Sequence, residues 1–235
     1  MQKMKNEQKI MLNLGCGPVG HPDWINIDYG ILAILHRYRF VESFLTQFNL
    51  WPGGNSSPYA VKWPENLKVI NAIKGLPFED QSVNCIFTSH FLEHVKKYEA
   101  IKIFQESYRT LKTGGVIRVV VPDIELVIEN HNTEKHDNLL KMVEYTNECF
   151  YGVPDFGFKP PTLIERIQRV FMRGHQWLYN YEYMKFVLME AGFNEENIQQ
   201  CSIFKGNVPN LDVLEAHLAT AIPSDISLYI EAKKR

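Results

Sequence analysis

A chain of 235 residues is long enough for one domain with elaborations, and 45% hydrophobic against 22% charged residues is the balance of an ordinary globular core. A formal net charge of −2 gives no broad electrostatic footprint for nucleic acid. No run of about 18 apolar residues is present, which excludes a membrane-spanning helix. The polar, basic start "MQKMKNEQKIMLNLG" lacks the apolar stretch of a signal peptide. Cys16, Cys85, Cys149 and Cys201 are scattered, with no C-x-x-C pair among them. The expected location is therefore the reducing cytoplasm.

Ile10–Leu14 predicts a first strand ending at a glycine turn, and Trp24–Asp28 a second. The apolar and aromatic stretch "ILAILHRYRFVESFLTQF" predicts one helix with a broad apolar face, which would also suit peripheral contact with a membrane surface. "WPGGNSSPY" predicts a loop. Leu67–Ala72 and Val83–Ser89 predict strands three and four. Ile101, Phe104, Tyr108 and Leu111 recur at helical spacing, so a helix is expected over Tyr98–Leu111, stopped by Thr113-Gly114-Gly115. "VIRVVV" at Val116–Val121 is apolar enough for a strand covered on both faces. Residues from about 124 to 175 predict a mostly helical insertion with a loop at "YGVPDFGFKPP". Tyr181–Ala191 predicts a helix, and Ile198–Phe204 and Ile226–Ala232 the last strands. Alternating strands and helices imply a parallel, doubly wound sheet, whose ligands sit at the carboxyl ends of the strands.

One such end carries "NLGCGPVGHPDWINIDY", which spells G-x-G-x-x-G through Gly15, Gly17 and Gly20. In a dinucleotide fold this turn feeds a helix that holds a pyrophosphate, and an acidic residue follows about 20 residues later. Here Pro18 and Pro22 leave hardly any room for a helix, and Asp28 follows Gly17 after 11 residues. Such a turn suits a nucleoside without pyrophosphate. S-adenosylmethionine is one: its carboxylate and ammonium need a close backbone approach, which glycine permits. Asp28 would then accept the ribose hydroxyls. The alternative from the residues alone is a tight structural turn.

"MLNLGCG" with "WINIDY", "LPFEDQSVNCIFTSHFLEHV", "LKTGGVIRVVVPD", "GHQWLYNYEYMKFVLMEAGF" and "SLYIEAKK" resemble class I S-adenosylmethionine-dependent methyltransferases, and among them the small methyltransferase-domain proteins of the surface-glycan and secondary-metabolite type. The resemblance covers about residues 9–122 and 174–235. It implies an α/β, Rossmann-like fold: a seven-stranded, mostly parallel sheet with helices on both faces. The whole chain would form a single methyltransferase domain, with insertions at about 30–66 and 124–173 forming a helical cap. It also implies that Asn13, Leu14, Gly15, Cys16 and Gly17 contact the methionine portion. Asp28 would take the ribose hydroxyls, Asn71 and Ala72 would flank the adenine, and His90 would line the sulfonium side. The sequence departs from the family pattern in its nearly absent first helix. It departs also at Asn71 and Asn84, where the family commonly has Asp.

His90-Phe91-Leu92-Glu93-His94 also spells H-x-x-E-H, a zinc-peptidase pattern. That chemistry needs a helix across the motif and a third ligand downstream. The first histidine instead closes a strand, so no metal is expected. Methyl transfer to a hydroxyl calls for a general base, and histidine suits that task near neutral pH. His90 and His175 are the catalytic candidates; His94 is expected to be a hydrogen-bonded, half-buried residue. Aromatic and basic residues of the insertions, among them Tyr29, His36, Arg37, Tyr38, Phe150 and Tyr151, would suit a small-molecule or sugar acceptor. The rival expectations are a non-catalytic cofactor-binding module or scaffold for a partner enzyme, a nicotinamide-dependent enzyme, and a metallohydrolase. The oligomeric state is left open by the sequence.

Overall fold

The computed structural model describes residues 9–48, 63–133, 139–152, 160, 162–164, 166, 173–221 and 226–235. Seven strands form one sheet: β1 Met11–Leu14, β2 Ile25–Asp28, β3 Leu67–Val69, β4 Val83–Ser89, β5 Leu111–Pro122, β6 Ile198–Cys201 and β7 Ser227–Lys233. Their spatial order is β3-β2-β1-β4-β5-β7-β6. Strands β1 to β5 pair in parallel, and β7 lies antiparallel between β5 and β6. The sheet is mostly parallel, as the alternation of strands and helices predicts. The helices described in full are α1 Ile31–His36, α2 Arg39–Gln47, α3 Lys97–Thr110, α4 Ile124–Thr133, α5 Leu139–Tyr151, α6 Tyr181–Glu190, α7 Leu211–Leu214 and α8 Leu218–Ala221.

The two-residue period of a strand divides its side chains between two cores. Ile117, Val119 and Val121 of β5 join Leu228 and Ile230 of β7 under α3 and α6, where Ile103, Phe104, Met184 and Leu188 are fully or almost fully buried. Val116 and Val120 face the other way, with Phe87, Tyr229, Leu211, Leu214 and Leu218. A strand covered on both sides needs no polar face, which is why "VIRVVV" is continuous. The exception is Arg118, on the same side as Val116 and Val120 and wholly buried. Its guanidinium bonds Glu215 Oε1 at 2.8–2.9 Å and the carbonyls of Lys205 and Ser202 at 3.0 and 2.9 Å. Glu231, its register partner on β7, lies 3.8 Å from the guanidinium.

Several local expectations are corrected. The single helix expected after β2 is two, because the chain turns at Arg37-Tyr38, where Tyr38 N–H bonds Leu35 O and Val41 N–H bonds Tyr38 O, both at 2.8 Å. On α2 the side chains of Phe40 and Phe44 point to solvent. The third strand stops at Val69, because Asn71 caps a short 3₁₀ turn over Ala72–Lys74 by accepting Ile73 N–H at 3.0 Å. Helix α3 ends at Thr110, before the glycines, and Gly114 and Gly115 lie inside β5 at a register irregularity. Strand β6 ends at Cys201, short of Phe204. The short helices α7 and α8 carry no periodicity long enough to be legible. The "WPGGNSSPY" stretch and most of "YGVPDFGFKPP" lie outside the described residues. Among the described residues, no helix is long and apolar enough to cross a membrane.

Candidate active site

Strands β3, β2, β1 and β4 are neighbours in that order, so their carboxyl ends bring the predicted residues to one edge of the sheet. No helix intervenes between β1 and β2. Its place is taken by an amide network, buried at Asn13 and Asn26. Asn13 donates to Val19 O and to Asn26 Oδ1, both at 3.1 Å. Asn26 Nδ2 donates to His21 O at 3.0 Å and to Asn66 Oδ1 at 2.7 Å, and Asn66 returns a bond to Trp24 O at 2.7 Å. These bonds satisfy the backbone groups that a helix would have paired internally. Asn13 therefore serves the loop with its side chain, which is buried. Leu14 and Cys16 are also buried, and burial, followed by the charge of Asp28, pushes the Cys16 thiol well above its ordinary pKa.

The turn itself is built on positive φ, 65° at Gly15 and 53° at Gly17. The two glycines meet different surroundings. A Cβ on Gly15 would fall 2.3 Å from Cγ of Phe91, whereas one on Gly17 would meet nothing within 4 Å. Asp28 closes the turn: Oδ2 accepts Gly17 N–H at 2.9 Å and Oδ1 accepts Gly30 N–H at 2.6 Å. Asp28 O accepts Ile70 N–H at 3.1 Å, which brings Asn71 and buried Ala72 to the same edge.

At the end of β4, His90 adopts φ 47°, left-handed for a residue with a side chain. Its N–H is held by Val120 O at 2.9 Å. Its ring lies between two partners. Nδ1 is 3.1 Å from Glu93 Oε1, and Nε2 is 3.5 Å from Ser227 Oγ at the start of β7. Glu93 is completely buried. Burial pushes its carboxyl up, but the contact from His90 and the charges of His90 and His94 outweigh that, and it sits below the usual carboxylate range. Glu93 is the residue that sequence reasoning passed over as a site member. Its signal was there, three residues after His90 inside the H-x-x-E-H motif.

His175 reaches the same place from the far end of the second insertion. Gln176 and Trp177 donate their N–H groups to Glu93 O at 2.6 and 3.2 Å. The His175 ring stands 5.0 Å from that of His94, centroid to centroid. Burial pushes its pKa down, and Glu93 pulls it back in part. Tyr179 is buried nearby, and burial and the Glu93 charge raise its phenol far above the ordinary value, so it stays neutral. The structure thus joins Gly15, Cys16, Gly17, Asp28, Asn71, Ala72 and His90 along one sheet edge. His175 is set apart from that row, beside Glu93 and His94.

A family model described as a methyltransferase domain matches residues 12–119. Among solved structures, the chain is similar to a SAM-dependent methyltransferase from Archaeoglobus fulgidus, with 15% identity, 96% of this chain and 86% of that chain covered, and a TM-score of 0.48. A second SAM-dependent methyltransferase, from Methanosarcina mazei, shares 19% identity over 95% of this chain and 92% of that one, with a TM-score of 0.47. A third is the CMeT domain of the citrinin polyketide synthase, with 12% identity, 97% of this chain covered and a TM-score of 0.45. The chain spans 47% of the length of that last protein. No curated protein matches the chain.

Proposed function

We propose, from the premise that the chain carries a methyltransferase domain over residues 12–119 and takes S-adenosylmethionine as its methyl donor, that it methylates a hydroxyl of a small-molecule or sugar acceptor with His90 as general base. The observation that carries this reading is the His90–Glu93 pair beside the glycine turn. The turn fits the donor. It offers open backbone at Gly17, a carboxylate at Asp28 fixed by two N–H groups, and no helix that would ask for phosphate. Gly15, Cys16 and Gly17 would hold the amino-acid portion together with the main chain of Asn13 and Leu14. Asp28 would accept from the ribose. Asn71 and Ala72 would border the adenine, and with Asn71 Oδ1 engaged by Ile73 N–H, its amide nitrogen is the group left to donate.

Bound there, the donor supplies a methyl group on a positively charged sulfonium. The remaining work is alignment, exclusion of water and removal of one proton. The charge of buried Glu93, with Oε1 3.1 Å from His90 Nδ1, favours the tautomer with its proton on that nitrogen. Nε2, which faces Ser227 Oγ at 3.5 Å, then carries the lone pair and takes the proton of the acceptor hydroxyl. Glu93 stabilises the imidazolium that results. His175, beside His94, is proposed as a wall of the acceptor side. The exposed ring of Trp177, tied by its backbone to Glu93, gives that side an aromatic face suited to a sugar or phenol.

Calorimetric titration with S-adenosylmethionine and S-adenosylhomocysteine tests the donor site. Asp28→Ala is expected to weaken binding at least tenfold, about 1.4 kcal/mol. His90→Ala is expected to lower turnover by roughly 10²- to 10⁴-fold, with donor binding little changed. Absence of saturable binding by wild type would sink the donor reading. Turnover at the wild-type rate in folded His90→Ala would remove His90 as base.

A further inference from the structure

Glu93, His94 and His175 each offer one ligand atom, and those atoms lie within 4.8 Å of one another. Two oddities accompany this cluster. Both carboxylate oxygens of Glu93 and Nδ1 of His94 are buried and have no aligned hydrogen-bond partner among the described residues. A carboxylate wholly out of water with its lone pairs unanswered is costly, unless a cation or a set of donors completes it. His90 Nδ1 approaches Oε1 at 3.1 Å but out of hydrogen-bond alignment, and it leaves Oε2 unserved.

The second oddity concerns how His175 is held. Its Nδ1 lies 2.9 Å from Cys149 O, and its N–H bonds Tyr151 O at 2.8 Å. A carbonyl can only accept, so Nδ1 carries the proton and Nε2 presents a lone pair. This is the way a metal-binding histidine is oriented by its outer partner. The ring also needs a glycine beneath it: a Cβ on Gly152, which has φ 64°, would lie 2.4 Å from His175 Nε2. The end of α5 is thus shaped around this one imidazole.

We propose that Glu93, His94 and His175 form a site for one divalent zinc ion. Two imidazoles and a carboxylate are a zinc ligand set, and three protein ligands leave a fourth position for water or an acceptor oxygen. Tetrahedral ligands about 2.0–2.1 Å from zinc stand roughly 3.3 Å apart, so a small rotation of the side chains closes the present spacing. The site differs from the peptidase reading of H-x-x-E-H. Only Leu92–His94 is helical there, as a 3₁₀ turn, and His90 with left-handed φ lies outside it. The third ligand comes instead from 81 residues downstream of His94, at the end of the second insertion. The ion would pin that segment to the end of β4. This proposal does not depend on the methyl-transfer reading, since its test reads metal directly.

The experiment is to strip the full chain with a chelator, add back zinc, and measure bound metal by elemental analysis and affinity by competition with a chromophoric chelator. Cobalt substitution gives a second readout through its visible ligand-field bands. Wild type is expected to bind about one ion per chain, and His131→Ala, a histidine away from the cluster, to match it. His175→Gln, His94→Gln and Glu93→Gln are each expected to weaken zinc at least tenfold and to alter the cobalt spectrum. Circular dichroism and thermal melting of the stripped variants check that they fold. Should one variant not fold, the other two carry the test. Failure of wild type to retain zinc overturns the proposal, and so does wild-type affinity in the folded His94→Gln and His175→Gln variants.

Discussion

Gly15 and Gly17 share a left-handed φ, yet only Gly15 has a neighbour pressed against it. This separates two costs that usually come together. Alanine at Gly17 should bear only the conformational term, roughly 1–2 kcal/mol. Alanine at Gly15 must also displace the Phe91 ring, adding about 1–3 kcal/mol of overpacking. Denaturant unfolding of the two variants should therefore rank Gly15→Ala well below Gly17→Ala. Phe91→Ala should recover part of the Gly15→Ala loss in a double-mutant cycle, and purely additive effects would refute the steric account. At this scale the sequence was informative where chemistry is local. The glycine turn, Asp28 and His90 stand at strand ends that hydrophobic patterning locates. Asn26 and Asn66 were not legible, because an amide 40 residues from its partner shows no spacing rule. Glu93 was hidden because a carboxyl beside a histidine is common, and only burial gives it meaning.

Helix α3 is held to the segment before β4 by a carboxylate and a guanidinium one turn apart. Glu106 Oε2 accepts Leu76 N–H at 2.8 Å, and Arg109 bonds Glu106, Asp80 and the carbonyls of Leu76 and Phe78. Arg109 is the largest influence on Glu106 and holds its pKa below the ordinary 4.5. The folded pKa is depressed, so the stabilisation is complete above about 4.5 and disappears as pH falls through the lower folded value. Glu106→Gln is accordingly expected to be less stable than wild type near pH 7, with the gap narrowing below pH 4.5. A gap that stays constant with pH would assign the effect to shape instead of charge. The elements themselves were largely legible: β4, β5 and α3 fall where periodicity puts them, because long apolar runs dominate their burial. Misjudged ends have particular causes. Asn71 turns its own backbone into a 3₁₀ cap, and the glycines after α3 relax a strand irregularity, a role their spacing does not distinguish from a helix stop.

The second face of the sheet is organised around one buried cation. Arg118 of β5 links α7 through Glu215, the loop after β6 through two carbonyls, and β7 through Glu231, whose carboxylate also receives Asn207 N–H at 2.9 Å. Removing one partner strands the others, so Arg118→Ala should cost about 3–5 kcal/mol in global stability. A loss below 1 kcal/mol would show that water enters and replaces the guanidinium. The class of the whole sheet was readable from alternating strands and helices, whereas the order of its last two strands was not, since hydrophobic patterning marks a strand without saying which strand it pairs with. That order has a consequence for how the molecule is made. Strand β7, close to the end of the described chain, is inserted between β5 and β6, and among the described residues β6 pairs with no other strand. While the polypeptide is still emerging from the ribosome, β5 keeps a bare apolar edge and β6 has nothing to join. The sheet can close only after about residue 227 has been synthesised, and until then a chaperone or an aggregating neighbour competes for that edge.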